Sequence, residues 1–183
     1  MSDIPPVTLS DYQSQWSQRF QEERLAILKY IGDHVLAVEH IGSTAVPGLV
    51  SKPELDILIS VERLSNADQC VKPLEELGYG YYAHFEESVP DRKYFRKTDW
   101  DSETHQPLVH IHMVEHGSSF WFDQLAFRNY LIAHPNTAKQ YGSLKRRLVE
   151  DYKGDRPSYS EMKAKFIDDI MPAVYKNHRK TSS

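Results

Sequence analysis

Apolar side chains recur at Trp16, Phe20, Ile27, Leu28 and Ile31. That spacing follows the 3.6-residue period of a helix with one buried face. A helix capped by Asp11 or Ser14 and running to about Gly32 is expected. Val35 to Ile41 reads as a strand. The segment from Gly42 to Leu49 is rich in turn formers. Glu54 to Val61 is a second strand, and Pro53 is tolerated at its entrance. Leu55, Ile57, Ile59 and Val61 take one face of it, Glu54 and Asp56 the other. Residues 66–77 form a helix that Gly78 ends. Short strands are expected at 79–83 and 93–97, and a clear one at 108–114. The rest is helical: Ser118 or Ser119 to His134, Pro135 to Tyr152, and Ser158 to about Ile170, with Pro172 as a stop. Pro5-Pro6 keeps residues 1–10 extended, and residues 177–183 read as a frayed tail. The pattern predicts an α/β (α+β) fold. A mixed β-sheet of about five strands is flanked by helices, and the C-terminal third is helical.

Length and composition narrow this picture. At ~150 residues per domain, 183 residues predict a single domain over 1–183, with an ordered core of about 7–176. No apolar run approaches the ~20 residues a membrane helix needs. The lone Cys70 excludes a disulfide scaffold. The first residues lack a secretory pattern, so a reducing cytoplasm is expected. The net charge is −4, which argues against an extended nucleic-acid surface. A local phosphate site stays open.

Candidate chemistry begins on the second strand. Glu54 and Asp56 share a face, and two close carboxylates suit a hard divalent cation such as Mg²⁺. From spacing alone they suit a solvated strand face better. Gly42-Ser43 follows the first strand directly. A glycine there admits a ligand close to the backbone, and the hydroxyls of Ser43 and Thr44 with nearby amides can hold phosphate. The alternative is an ordinary strand-to-helix turn.

His110 and His112 share one face of the strand at 108–114. They can ligate a metal, act as acid or base, or sit on a solvated sheet face. Imidazoles mixed with carboxylates favour Mn²⁺ or Zn²⁺ over Mg²⁺. His105 and His116 lie near the strand's two ends. In an extended Arg92–Lys97 segment, Lys93, Phe95 and Lys97 take one face and Arg92, Tyr94 and Arg96 the other. Either row can clamp phosphate or protect an edge strand. Lys52 is a further phosphate candidate. Arg128 and His134 are spaced too far apart for one helix face. Lys145-Arg146-Arg147 reads as a solvated helix surface.

The run His40-Ile-Gly-Ser-Thr-Ala-Val-Pro-Gly-Leu49, then Lys52-Pro53 and Asp56-Ile57, resembles the signature of the GrpB family. Phe95-Arg96-Lys97, His110-Ile111-His112 and Phe127-Arg128-Asn129-Tyr130-Leu131 extend the likeness over roughly 7–170. The resemblance implies a nucleotidyltransferase-like fold, similar to the polymerase-beta superfamily core. It also implies Gly42 and Ser43 at a triphosphate and Asp56 as principal metal ligand. Family members joined to dephospho-CoA kinase point to phosphate-rich small molecules. An imidazole stands where that superfamily usually has a third carboxylate.

The expected activity is metal-dependent nucleotidyl transfer from a nucleoside triphosphate to an unknown small acceptor. Mg²⁺ or Mn²⁺ would be held by Asp56, Glu54 and His112. Ser43 and its neighbours, with Lys52, Arg92, Lys93, Arg96 and Lys97, would hold phosphate. His110 or His112 would accept the acceptor's proton. Two other expectations stand beside it: a non-catalytic module binding a nucleotide or CoA precursor, and a metal-dependent phosphoester hydrolase.

Overall fold

The computed structural model describes residues 7–87, 89–97, 108–153 and 155–181. Five strands form one mixed sheet: β1 (Ala37–Ile41), β2 (Glu54–Val61), β3 (Gly80–Tyr81), β4 (Arg92–Lys97) and β5 (Leu108–Glu115). Their order is β1-β2-β5-β4-β3. The β2/β5 pair is parallel and the other three pairs are antiparallel.

One face of the sheet carries the main core. Helix α1 (Gln15–Ile31) lays Trp16, Phe20, Ile27 and Ile31 on it. Helix α2 (Asp68–Glu76) adds Cys70 and Leu74. Leu55, Ile57 and Ile59 of β2 meet them, as alternation predicts. Ser14 stands at the start of α1 but makes no side-chain cap bond.

Three helices cover the opposite face: α3 (Ser119–Ala133), α4 (Pro135–Asp151) and α5 (Arg156–Thr181). Ser118 caps α3 by accepting the Trp121 N–H, and Pro135 opens α4. Trp121 packs on Ile41, Leu58 and Val114 and closes the far half of this face. The near half, with Glu54 and Asp56, is left open. So this face is solvated only at one end.

Three local expectations change. Pro172 lies inside α5, which continues to Thr181. A second buried contact beyond the proline, through Val174, holds the helix past it. Residues 79–83 give only a two-residue strand, followed by a 3₁₀ turn over Ala83–Glu87. Val7 is pinned, packing with Leu148 and Tyr159, and Ser10 bridges to Ser51. Among the described residues, no helix is long and apolar enough to cross a membrane.

Candidate functional site

A cavity of about 750 Å³ opens between the uncovered half of the sheet and helix α5. Its floor comes from the parallel β2/β5 pair, where Asp56 lies beside His110 in register. Asp56 Oδ1 is 3.4 Å from His110 Nδ1 and 3.5 Å from His112 Nε2. Arg92 Nη1 donates to His112 Nδ1 at 3.0 Å. A guanidinium can only donate, so His112 carries its proton on Nε2 and offers it to Asp56. Burial favours the neutral Asp56 carboxyl, but the two imidazole bonds outweigh it and hold the group well below the ordinary carboxylate range. Burial lowers the His112 pKa, against the pull of Asp56, so that ring is neutral.

The turn at 42–44 forms one rim. Gly42 has φ +71°, and a Cβ there would lie 2.3 Å from Asp56 Oδ2. Glycine is therefore required twice: for the backbone conformation and to leave room for the carboxylate. Ser43 lines the cavity, and its Oγ accepts from Lys145 Nζ at 2.9 Å.

Lys145 overturns its reading as solvated surface. It is 1% exposed, donates also to the Val50 carbonyl, and lies 4.7 Å from the Tyr141 ring centroid. Burial, with Lys163 and Lys52 close by, lowers its pKa to about 7. Lys163 reaches the same cavity from α5, and burial lowers its pKa too. Among the described residues no hydrogen bond or ion pair reaches the Lys163 ammonium. Lys52 lines the cavity with its Nζ 2.6 Å from Glu54 Oε2. Burial would raise the Glu54 pKa, but Lys52 holds it below its ordinary value.

Other expected site residues lie elsewhere. Lys93 and Lys97 point through the opposite face of the sheet, because Phe95 between them enters the core. Lys93 pairs with Asp68 at 2.9 Å and Lys97 with the buried Glu23 at 3.3 Å. Thr44 is buried: it donates to the Glu54 carbonyl and accepts from His40 Nε2 at 3.0 Å. Its hydroxyl holds the turn and is not offered to a ligand. Burial lowers the His40 pKa to about 4, so this donor is a neutral ring. Arg96 shares a face with Arg92 and faces His110 in register, yet it is not part of the cavity lining. Arg128 ties α3 to the edge strand through Glu39 and the His40 carbonyl, both at 2.8 Å. His134 stacks on Tyr130, and His116 bonds Ser60 at 3.0 Å. His105 lies outside the described residues.

A resident divalent ion needs several donors converging on one point. Among the described residues no three His, Cys, Asp or Glu side chains are grouped to hold one. Glu54 is engaged by Lys52, and both imidazoles point at a single oxygen of Asp56. In this arrangement the side chains do not fit a resident Mg²⁺ or Mn²⁺.

The family model described as "GrpB protein" matches residues 6–173. The chain belongs to the GrpB family. Among its GrpB relatives is the "Glutamate-rich protein GrpB" of Alkalihalophilus pseudofirmus, 33% identical over 167 residues, covering 90% of this chain and 94% of that one. A "Dephospho-CoA kinase" of Mycolicibacterium paratuberculosis is 29% identical over 182 residues, covering 90% of this chain but only 45% of its own. The crystal structure of a conserved GrpB protein from Enterococcus faecalis superposes with a TM-score of 0.82 at 33% identity, covering 93% of this GrpB chain and 99% of that one.

Sequence reading missed Lys145 and Lys163. A signal for Lys145 exists: it continues the buried stripe Ala138, Tyr141, Gly142 and Leu148 on α4. A lysine in an apolar stripe is costly unless something compensates it.

Proposed function

We propose that this GrpB-family chain binds the phosphates of a nucleotide in the cleft between its sheet and α5. One observation carries the reading. Lys145 and Lys163, on separate helices, bring their ammonium groups to one cavity with Ser43, and neither pairs with a carboxylate. Two desolvated cations side by side repel each other. A polyanion between them removes both the repulsion and the desolvation cost. The cavity lies within the usual size range for small-molecule sites, ~300–1,000 Å³. The Gly42-Ser43 turn supplies a hydroxyl at the same place. A relative named dephospho-CoA kinase fits a phosphate-rich setting but lends no activity of its own.

Nucleotidyl transfer is the second reading, and Asp56 favours it. An ionised carboxylate on the floor of a phosphate-binding cleft is a group that can accept the proton an attacking hydroxyl gives up as its oxygen bonds the α-phosphorus and pyrophosphate leaves. His110 and His112 orient Asp56. A carboxylate with so low a pKa is a weak base, so binding is the better supported of the two.

Titration calorimetry of the purified chain with inorganic tripolyphosphate and ATP, each with and without Mg²⁺ or Mn²⁺, tests both readings. Tripolyphosphate and ATP should bind the wild-type chain. Lys163→Met should weaken both at least about tenfold, the scale of one charged hydrogen bond. Failure of either anion to bind would sink the first reading. Transfer predicts pyrophosphate release that Asp56→Asn abolishes while ATP binding survives.

A further inference from the structure

We infer that the front of β4, beside the cleft, is a second binding site, built for a small planar molecule that carries a carboxylate or a phosphate. The inference does not rest on phosphate binding in the cleft.

Strand β4 supplies its own comparison. Its back-face cations are paired: Lys93 with Asp68 and Glu86, Lys97 with the buried Glu23. Its front-face cations are Arg92 and Arg96, and among the described residues no carboxylate pairs with either. Arg92 has the His112 imidazole at 3.0 Å and the ring faces of Tyr94 and Phe120 at 5.3 and 5.4 Å. Arg96 has no hydrogen bond or ion pair among the described residues.

The orphaned atoms fall on the same patch. Four buried side-chain nitrogens lack a hydrogen-bond partner among the described residues: Arg19 Nε, Arg92 Nε, Arg96 Nε and His110 Nε2. The charge of Arg19 is compensated all the same, since its Nη atoms reach Glu22 and Glu23. The other three belong to one stretch of the sheet. Arg96 and His110 are register partners, about 5 Å apart at Cα. Arg92 lies four residues along β4 on the same face. Buried donors without partners are rare, because each has given up water and gained nothing. Burial with no carboxylate nearby also lowers the Arg92 pKa. An oxyanion that takes the Nε–H and an Nη–H of one guanidinium together supplies both the missing acceptor and the missing charge.

The floor of the patch is aromatic. Tyr94 lies between the two arginines on β4, its ring centroid 5.8 Å from that of His110 and 5.4 Å from that of His112. Phe85 meets it edge-on at 5.1 Å and is 40% exposed. Tyr82 adds a third ring at 6.1 Å. Guanidinium groups beside open rings suit a ligand with a flat body and an anionic end. Arg92 and His110 also line the cavity, and Arg96 does not. The patch therefore adjoins the cavity and extends past it toward β3.

Calorimetry of the full chain with phenyl phosphate and with benzoate, each alone and with excess tripolyphosphate, tests this. The two probes distinguish a phosphate from a carboxylate source. At least one should bind, several-fold tighter than inorganic phosphate or acetate, and should still bind beside tripolyphosphate. Arg96→Met should weaken that probe at least about tenfold, the scale of one charged hydrogen bond, and leave tripolyphosphate affinity unchanged. Arg96→Lys keeps the charge and the packed stem, and should still weaken the probe several-fold because it lacks the fork. Four results overturn the inference: neither probe binds, tripolyphosphate displaces the probe completely, both Arg96 variants bind it undiminished, or the ring adds no affinity. If a probe binds through Arg96 while tripolyphosphate does not bind at all, this site stands and the cleft reading falls.

Discussion

Lys145 shows what one buried cation does to the whole chain. Its pKa of about 7 in the fold compares with ~10.4 in an unfolded peptide. Between those values the unfolded chain holds a proton that the folded chain has released. Stability therefore rises with pH across that window, and the cost of burying the charge is complete below pH 7. The ligand-free protein should gain on the order of 2 kcal/mol between pH 7 and pH 9 from this residue. Urea unfolding at the two pH values, compared with Lys145→Met, isolates the contribution. Equal increments in wild type and variant would show that Lys145 is not the source. Residues such as Gly42 and Asp56 were legible from spacing, because a glycine turn and a carboxylate on alternate strand positions follow local rules. Lys145 was hidden, because its neighbours Arg146 and Arg147 are exposed and a triple basic run reads as surface. The partners that make its site, Ser43 and Val50, lie about 100 residues away in the chain.

Elements were legible wherever periodicity and a terminator agreed. The strand at 54–61 and the two helices meeting at Pro135 carry both signals. The Lys93 and Lys97 assignment failed for a different reason. Alternation gave the two rows of β4 correctly, but only the neighbouring strands decide which row faces the cleft. Helix α5 is where a local signal lost to tertiary packing. A proline in a helix interior costs ~3 kcal/mol relative to alanine, yet the helix passes through Pro172 and buries Val174 beyond it. Pro172→Ala should raise stability by about 1–3 kcal/mol, seen as a higher melting temperature. The same variant restores an N–H for the Asp168 carbonyl. A melting temperature unchanged or lowered would mean that the proline's ring packing, and not a tolerated defect, holds this turn.

At the scale of the molecule, the sheet divides two unlike halves. Behind it, α1 and α2 close on a continuous apolar core. In front, the 42–52 loop, α4 and α5 meet around the cleft, and their cations Lys52, Lys145 and Lys163 repel one another. Helix α5 is held to α3 and α4 by Phe166, Ile167 and Ile170. A polyphosphate seated between the lysines would convert repulsion into a three-way bridge and restrain the front layer. Hydrogen exchange with and without tripolyphosphate reads this directly. Amides of α5 around Lys163 and of α4 around Lys145 should slow several-fold more than those of α1. Uniform protection across α1 and α5 would mean that the anion stabilises the fold without bridging those helices. Protection confined to the exposed Arg146 and Arg147 turn would move the anion site out of the cleft altogether.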